Sequence, residues 1–354
     1  MNRRTLLAGA AAYGALGAAP PPPSPAIEIG GGWREALGVV ADLDAAARFW
    51  RDVAGWTQIH DGRICPEALT LFGMNPRAMR GRERVFAARD YPLGWVRLWR
   101  FDGGANAGLI RSNAQAWDTG GIFSVMTRSQ NIDRDYAAAG ALGLTAFNDP
   151  YAFNFGDRVL VNGVIRSPDG CNVAIYERRT PRDPSVIADG LTKAFNSMQM
   201  VRDLEVSTRW WIDAAGFEFI QRGRFVDDVE RPTNFALPVN LATKVPRNFS
   251  ILKRKDGSGE AGRVELMQFE GLVGRDFSDD ARFPKRGWHA LLFPVLDLQV
   301  EVERFAASGM RPAFGPGPLP LAPYGSTTAA AFRSPDGVLA VFYVSPTSGA
   351  LRSG

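Results

Sequence analysis

Val39-Val40-Ala41-Asp42-Leu43-Asp44, followed by Arg48-Phe49-Trp50 and Gly55-Trp56, returns later in the chain as Met200-Val201-Arg202-Asp203-Leu204-Glu205, Arg209-Trp210-Trp211 and Gly216-Phe217. Asp42 to Asp203, Trp50 to Trp211 and Gly55 to Gly216 share one offset of 161 residues. A second phrase, Arg-Ser-Pro-Asp-Gly, stands at Arg166 to Gly170 and again at Arg333 to Gly337, an offset of 167. Self-similarity of this kind says more about architecture than any single residue, because each copy must be one repeated structural unit.

Outward from the first copy, residues 36–41 alternate and are Val-rich, which predicts a strand. Asp42 then caps a helix carrying Ala45, Phe49 and Val53 at helical spacing. Gly55 ends that helix. Strands are expected at Trp56–His60, Ala68–Phe72 and Trp95–Phe101, which makes a β-α-β-β-β module. A second module begins at Gly121, with a strand over Ile122–Met126 and a helix over Ile132–Ala139 closed by Gly140. Its last strands, Val159–Ile165 and Asn172–Glu177, flank the turn Pro168-Asp169-Gly170. The polar stretch from Thr180 to Gly190 reads as a linker, and the modules recur over Ala194–Gly271 and Trp288–Val344. The fourth has its helix at Gln299–Ala307, closed by Gly309. The expected division is residues 33–179 and 193–346 as two domains, 180–192 as linker and 347–354 as tail.

With 354 residues, 45% of them hydrophobic, the chain can bury a core in each of two domains. A net charge of +4 without any block of five basic residues argues against nucleic acid as a partner. Arg3-Arg4 precedes an apolar run from Leu6 to Ala19 and then Pro20 to Pro23, a pattern similar to a twin-arginine export signal and too short to span a bilayer comfortably. Residues 1–32 are therefore expected to be a signal peptide and a Pro/Gly-rich linker. The mature protein would then be periplasmic or secreted, without a stable membrane span. A disordered cytoplasmic tail is the alternative. Cys65 and Cys171 would permit one disulfide, but nothing in the sequence brings their sulfurs together, and neither lies in a Cys-x-x-Cys pair.

Four such modules, with the Asp-Leu-acid cap, the aromatic pair, the Gly-aromatic step and the Ser-Pro-Asp-Gly turn, resemble the vicinal oxygen chelate superfamily of glyoxalase I, extradiol dioxygenases and bleomycin resistance proteins. The resemblance implies an α+β fold of four βαβββ modules paired into two open, bowl-shaped mixed sheets. It also implies that metal or ligand groups come from the first and last strands of each module. Counting seven residues back from the capping aspartates gives Glu35 and Asn196. Aligning Val96-Arg97-Leu98 with Val264-Glu265-Leu266 gives Arg97 and Glu265. Modules two and four supply Gly120 and His289, with Ala174 and Val341 on their terminal strands.

Pairing consecutive modules predicts a first bowl of Glu35, Arg97, Gly120 and Ala174. No metal is expected there. Glu35 and Arg97 form either an ion pair or, if open to a cavity, a clamp for a substrate carboxylate. The second bowl would hold Asn196, Glu265, His289 and Val341. Asn196, Glu265 and His289 stand where a glyoxalase-like divalent metal (Zn, Ni, Mn or Fe) would bind. Only one of the three extradiol iron ligands is matched, so ring cleavage is not expected. Alternation places Trp95, Trp99 and Phe101 beside Arg97, Tyr176 beside Ala174, and Met267, Phe269 and Tyr343 inward in the other half. His60 aligns with Gln221 on a second strand and reads as an edge residue. The segments Asn148–Phe155 and Phe314–Tyr324 read as loops that differ between the halves.

The function expected is metal-assisted isomerase or lyase chemistry on a small oxygenated substrate, with Glu265 and His289 catalytic. The rival is a metal-free small-molecule binding or resistance protein that uses Arg97, Trp99, Glu35, Tyr176 and Tyr343. A monomer is expected, because the duplication supplies both paired domains.

Overall fold

Asp42 and Asp203 do what their positions predict. In the computed structural model the side chain of each accepts hydrogen bonds from two backbone amides in the first turn of the following helix, Asp44 and Ala45 for Asp42 and Glu205 and Val206 for Asp203. The structure describes residues 32–344, apart from 90–91, 104–106, 185, 187–188, 234 and 256–261. Residues 1–31, with nearly all of the expected leader, lie outside the described residues.

The first module runs β1 (Glu35–Val39), α1 (Leu43–Arg48), β2 (Thr57–Arg63), α2 (Pro66–Leu71), β3 (Gly81–Ala87) and β4 (Trp95–Phe101). In the second, β5 (Ser124–Ser129) and α3 (Ile132–Ala141) lead to β6 (Thr145–Ala146), β7 (Tyr151–Phe155), β8 (Arg158–Arg166) and β9 (Asn172–Thr180). The third comprises β10 (Asn196–Met200), α4 (Leu204–Arg209), β11 (Phe217–Phe225), β12 (Arg247–Arg254) and β13 (Arg263–Phe269). The fourth comprises β14 (Gly287–Val295), α5 (Leu298–Ala307), β15 (Phe314–Leu321), β16 (Gly325–Arg333) and β17 (Leu339–Val344).

The repeated aromatic pairs have a structural reason. Both α1 and α4 widen into a π turn, over Phe49–Val53 and Trp210–Ala214, and Phe49, Trp50, Trp210 and Trp211 are all buried by it. They join a core between the helices and the convex faces of the strands, where Trp50 packs on Trp288 and Trp211 on Phe293.

Three local expectations are corrected. Ala68–Phe72 belongs to a helix, not a strand. Pro66 sits in its first turn, where a missing N–H costs nothing, and Ala68, Leu69, Leu71 and Phe72 are buried. The missing strand is β3. Helix α3 runs past Gly140 to Ala141, and Gly143, at φ +81°, follows it. The two supposed loops contain edge-region strands, β7 paired with β8 and β15 paired with β16.

The larger correction concerns which modules share a sheet. β1 pairs antiparallel with β14, and β10 with β5. The first sheet thus joins modules one and four in the order β15-β16-β17-β14-β1-β4-β3-β2. The second joins modules three and two in the order β11-β12-β13-β10-β5-β9-β8-β6. Each half of the repeat supplies one module to each sheet. The chain crosses between sheets over residues 102–123, held by bridges from Leu109 to Arg286 and from Ile122 to Trp288.

The sheets meet in a near-twofold contact written into the repeat. Gly94, at φ +74°, presses on the backbone of Ala194, where a Cβ would stand 2.1 Å from the carbonyl oxygen. Gly262, at φ +70°, presses on Trp33, where a Cβ would stand 2.2 Å from the amide nitrogen. Only glycine allows both the backbone conformation and the approach. The repeated Ser-Pro-Asp-Gly turns also serve as clips. Asp169 accepts from the Ala41 amide at 3.1 Å and from Arg286 at 2.9 Å, and Asp336 accepts from the Ser207 hydroxyl at 2.6 Å.

Candidate functional site

The concave faces of the two sheets have opposite fates. In the first, Leu37, Trp99, Leu292, Val341 and Tyr343 meet Leu69 and Phe72 from α2 and its end, with Phe283, in one apolar cluster, so the bowl is filled by its own chain. Its polar residues are closed on one another. Arg97 and Glu35 are both 0% exposed. Arg97 Nε donates to Glu35 at 2.7 Å and Nη1 to Glu83 at 2.9 Å, while Nη2 reaches the Ala322 carbonyl. Trp99 donates to Glu83 at 2.8 Å, the Tyr324 hydroxyl donates to Glu35, and His60 lies 3.4 Å from Glu83. Arg34 stacks between Trp95 and Tyr324, 4.6 and 4.0 Å from the ring centres. Two carboxylates and two guanidiniums therefore balance inside the sheet. Burial works to raise the Glu83 carboxyl, but the Arg97 charge together with the hydrogen bonds from His60, Arg97 and Trp99 outweighs it and holds the group at about 2. Of the two readings of Glu35 and Arg97, the buried ion pair is the one the structure contains.

The register also moves two of the four inward positions. Asn196 lies opposite Met126, and Glu35 opposite Leu292. The residues facing the ring are thus Met126 and Leu292, in place of Gly120 and His289. Gly120 precedes β5 and packs against the Phe277–Ser278 backbone. His289 falls in the irregularity of β14, where Leu37 pairs with Ala290 but Gly38 with Trp288. On the terminal strands, Arg97 and Glu265 each stand two residues past the partner of Glu35 or Asn196. The same step past Ala174 and Val341 reaches Tyr176 and Tyr343. Two rings result: Glu35, Arg97, Leu292 and Tyr343 in the first sheet, and Asn196, Glu265, Met126 and Tyr176 in the second.

His289 is therefore on a different sheet from Asn196 and Glu265, and the expected three-residue site does not assemble. Its imidazole stacks on Phe283 with ring centres 4.1 Å apart, and Nε2 lies 2.6 Å from the Lys285 carbonyl. Burial lowers its pKa to about 4, so the ring is neutral, Nε2–H is the donor and Nδ1 has no partner.

The second sheet keeps its bowl open around a cavity of about 450 Å³. Its floor carries Met126, Met267, Phe249 and Phe195 with Asn196 and Glu265. Asn196 Nδ2 donates to Glu265 at 2.9 Å, while its Oδ1 accepts from the Ser197 amide at 2.9 Å. Burial raises the Glu265 carboxyl to about 7, against the opposing effects of the Asn196 hydrogen bond and the Arg263 charge. Tyr176 is pushed well above the usual phenol range by burial and by Glu265, so its hydroxyl stays protonated. Where the walls meet across the opening, Tyr151 donates to Asp227 at 2.5 Å and Arg247 pairs with the same carboxylate at 2.6 Å.

A divalent metal does not suit this ring. A thioether, a phenol, an amide and one carboxylate are a poor set for Zn, Ni, Mn or Fe, and the amide oxygen is already engaged. Among the described residues, no group of three or more His, Cys, Asp or Glu comes together in a way that could hold such an ion. Among them, too, no helix is long and apolar enough to cross a membrane. Cys65 and Cys171 are both free.

Sequence reasoning missed Glu83, Tyr324, Asp227, Arg231 and Arg247. Glu83 was within reach. Had Gly81–Ala87 been taken as the strand, alternation would have set Glu83 and Val85 on the face of Arg97, since Val85 pairs with Arg97. Asp227 and Arg231 lie between strands, where no periodicity operates.

No protein-family model matches the chain, and no curated protein matches it in sequence. Solved structures do. Glyoxalase I from Zea mays superposes with a TM-score of 0.58 at 15% identity, covering 88% of this chain and 92% of that one. A putative dioxygenase from Bacillus subtilis subsp. subtilis str. 168 superposes with a TM-score of 0.51 at 13% identity, covering 90% and 86%. At such identities the likeness establishes the glyoxalase-like fold, and the chemistry has to be argued from the site.

Proposed function

We propose that this chain is an enzyme that moves a proton on a small carbonyl compound bound in the bowl of the second sheet, with Glu265 as the acid–base group. The observation that carries the reading is the position and charge state of Glu265. It lies at the floor of the cavity, fixed by Asn196, with its carboxyl at about 7. A group that titrates near neutrality is present in both forms and can accept and return a proton.

In the step proposed, the C–H bond next to the substrate carbonyl breaks, its proton passes to the Glu265 carboxylate, and the electron pair moves onto the carbonyl oxygen. The protonated Tyr176, which also lines the cavity, is the donor that would stabilise that oxygen. Return of the proton to the former carbonyl carbon, with the α-hydroxyl proton passing to the former carbonyl oxygen, completes an isomerisation, and departure of a β-substituent with its bonding electron pair completes an elimination. Isomerase and lyase chemistry thus remain the classes favoured, without the metal.

The test follows hydrogen–deuterium exchange of α-hydroxy aldehydes and ketones by NMR, in deuterium oxide with a chelator. Wild-type protein should exchange the α-proton at a rate that rises with pH through about 7, and Glu265→Gln should be at least 100-fold slower. Exchange that is indifferent to this substitution, or that appears only with added divalent metal, would overturn the reading. We also propose export through the twin-arginine-type leader, supported by Arg3-Arg4 and the apolar run from Leu6 to Ala19. Arg3→Lys/Arg4→Lys should hold the protein in the cytoplasm on fractionation, and unchanged periplasmic recovery would refute it.

A further inference from the structure

The opening of the second bowl carries more positive charge than the proton transfer needs. Six arginines line the cavity: Arg128, Arg158, Arg178, Arg231, Arg247 and Arg263. They face four acids, Asp183, Asp227, Asp228 and Glu265. Glu265 is only partly ionised near neutrality, and Asp228 is 85% exposed, where water screens it.

The excess is concentrated at one place. Arg247 and Arg231 share the Asp227 carboxylate, at 2.6 and 3.5 Å, and Tyr151 donates to it as well. Arg231 also lies 3.6 Å from the exposed Asp228, so Asp227 is the one buried carboxylate that the two guanidiniums share. Arg247 is 1% exposed, yet its Nε has no hydrogen-bond partner, and the Nε of Arg231 is likewise buried and unpartnered. A buried donor left unmade costs about 1–3 kcal/mol, more when charged, so native proteins rarely keep one unless a partner arrives.

The surroundings give the rest of the ligand its character. Arg231 lies over the Tyr151 ring, 4.9 Å from its centre, and Arg247 over Phe225 at 4.5 Å. Tyr151 and Phe153 are stacked side by side along the cavity wall. On β12, Arg247 is four residues from Ile251, which pairs with Glu265. At the rise of a strand that separation is about 13 Å between backbone positions, which leaves room for a ring system between the two side chains.

We propose that the ligand of this cavity is a flat, unsaturated carboxylate, its anionic group seated on Arg247 and Arg231 and its ring system against Tyr151 and Phe153, reaching towards Glu265. The guanidinium fork suits a carboxylate better than a lone ammonium would, and the aromatic wall selects against a flexible aliphatic acid. This rests on the cavity being the site proposed above, but it concerns recognition rather than proton transfer.

The experiment compares naphthalene-2-carboxylate, its neutral amide and 2-naphthylmethylamine by calorimetric titration of the full-length protein. The carboxylate should bind at least tenfold more tightly than the amide, and the amine not measurably. Arg247→Gln should remove the preference for carboxylate over amide. Because Arg247 is buried and its loss could unfold the chain, Arg231→Gln, at a position 38% exposed, serves as the second variant and should reduce the preference at least threefold. Glu265→Gln should retain the preference. Equal binding of carboxylate and amide, or preferential binding of the amine, overturns the proposal. Either outcome leaves Glu265-dependent exchange standing, whereas loss of that exchange with the preference intact sinks only the proton-transfer reading.

Discussion

Asn196 engages both ends of its amide, donating to Glu265 at 2.9 Å and accepting from the Ser197 amide at 2.9 Å. The amide therefore orients the carboxylate and offers nothing further to a metal. Glu265 becomes the one carboxylate in the ring of the open bowl, oriented by that hydrogen bond. A carboxylate fixed this way beside apolar neighbours cannot lower its pKa by turning to water.

Glu265 should make the protein less stable as pH rises. Its carboxyl is raised from 4.5 to about 7 by burial, so between those values the folded chain holds a proton that the unfolded chain has released. Stability then falls through that window and is level above it, by about 3 kcal/mol in total. Glu265→Gln keeps an acceptor for Asn196 without the charge. Urea unfolding at pH 5 and pH 8 should show the substituted protein losing about 2–3 kcal/mol less than wild type across the interval, and parallel behaviour would contradict it.

His289 should act in the opposite direction. Its pKa falls from 6.5 to about 4 through burial, so the unfolded chain binds the extra proton first, and stability is lost as pH drops from about 6.5 towards 4. Burial against Phe283 favours the neutral ring, and the hydrogen bond to the Lys285 carbonyl opposes it without overcoming it. His289→Gln should flatten the acid limb of the stability curve, and zinc or nickel should raise the melting temperature of neither protein. A metal-dependent rise abolished by His289→Gln would restore the ligand role to this side chain.

Arg97→Leu should be among the most damaging single substitutions. It leaves Glu35 and Glu83 facing each other in the filled bowl without the guanidinium that joins them. Removing one partner of a buried pair costs about 3–5 kcal/mol. Denaturant unfolding should register that loss, and any folded fraction should bind a cavity ligand as wild type does. If binding disappears from folded protein, the first sheet has a part in recognition after all.

Met126→Trp should separate the cavity from the scaffold. Met126 lies opposite Asn196 on the floor of the second bowl, beside open space, so a larger ring has room to enter. Overpacking there should cost no more than about 1–3 kcal/mol. Both proton exchange and carboxylate binding should be lost together, with the circular dichroism spectrum unchanged. Retention of either would place that function elsewhere.

The repeat made the modules legible, because cap, aromatic pair, glycine step and turn all occur twice at nearly constant offsets. Strand pairing was less accessible. Joining consecutive modules, or the outer two and the inner two, buries the same apolar faces, so nothing in the periodicity of Val39–Asp44 chooses between them. The choice lies in long-range pairing such as Glu35 with Leu292 and Asn196 with Met126. Counting back from the caps found Glu35 and Asn196 because α1 and α4 are true copies. Gly120 and His289 missed because the ring positions of modules two and four, Met126 and Leu292, stand five residues before the caps Asn131 and Asp297, not seven. Ala68–Phe72 is ambiguous for a different reason, since four apolar residues around Thr70 fit a strand or a helix equally well.

The glycines between the sheets offer a last test, of the twofold contact itself. Gly94 and Gly262 both have positive φ, and in each an added methyl would meet backbone of the other sheet within about 2 Å. Gly103 has the same sign of φ, +72°, but nothing within 4 Å of where a Cβ would stand. Gly103→Ala therefore measures the conformational strain alone, about 1 kcal/mol. Gly94→Ala and Gly262→Ala add a collision that side-chain movement cannot relieve, because the struck atoms are the Ala194 carbonyl and the Trp33 amide. Each should cost at least about 2 kcal/mol more than Gly103→Ala in thermal unfolding, and by similar amounts if the two halves contribute equally. Three equal losses would mean that the sheets do not meet at Ala194 and Trp33.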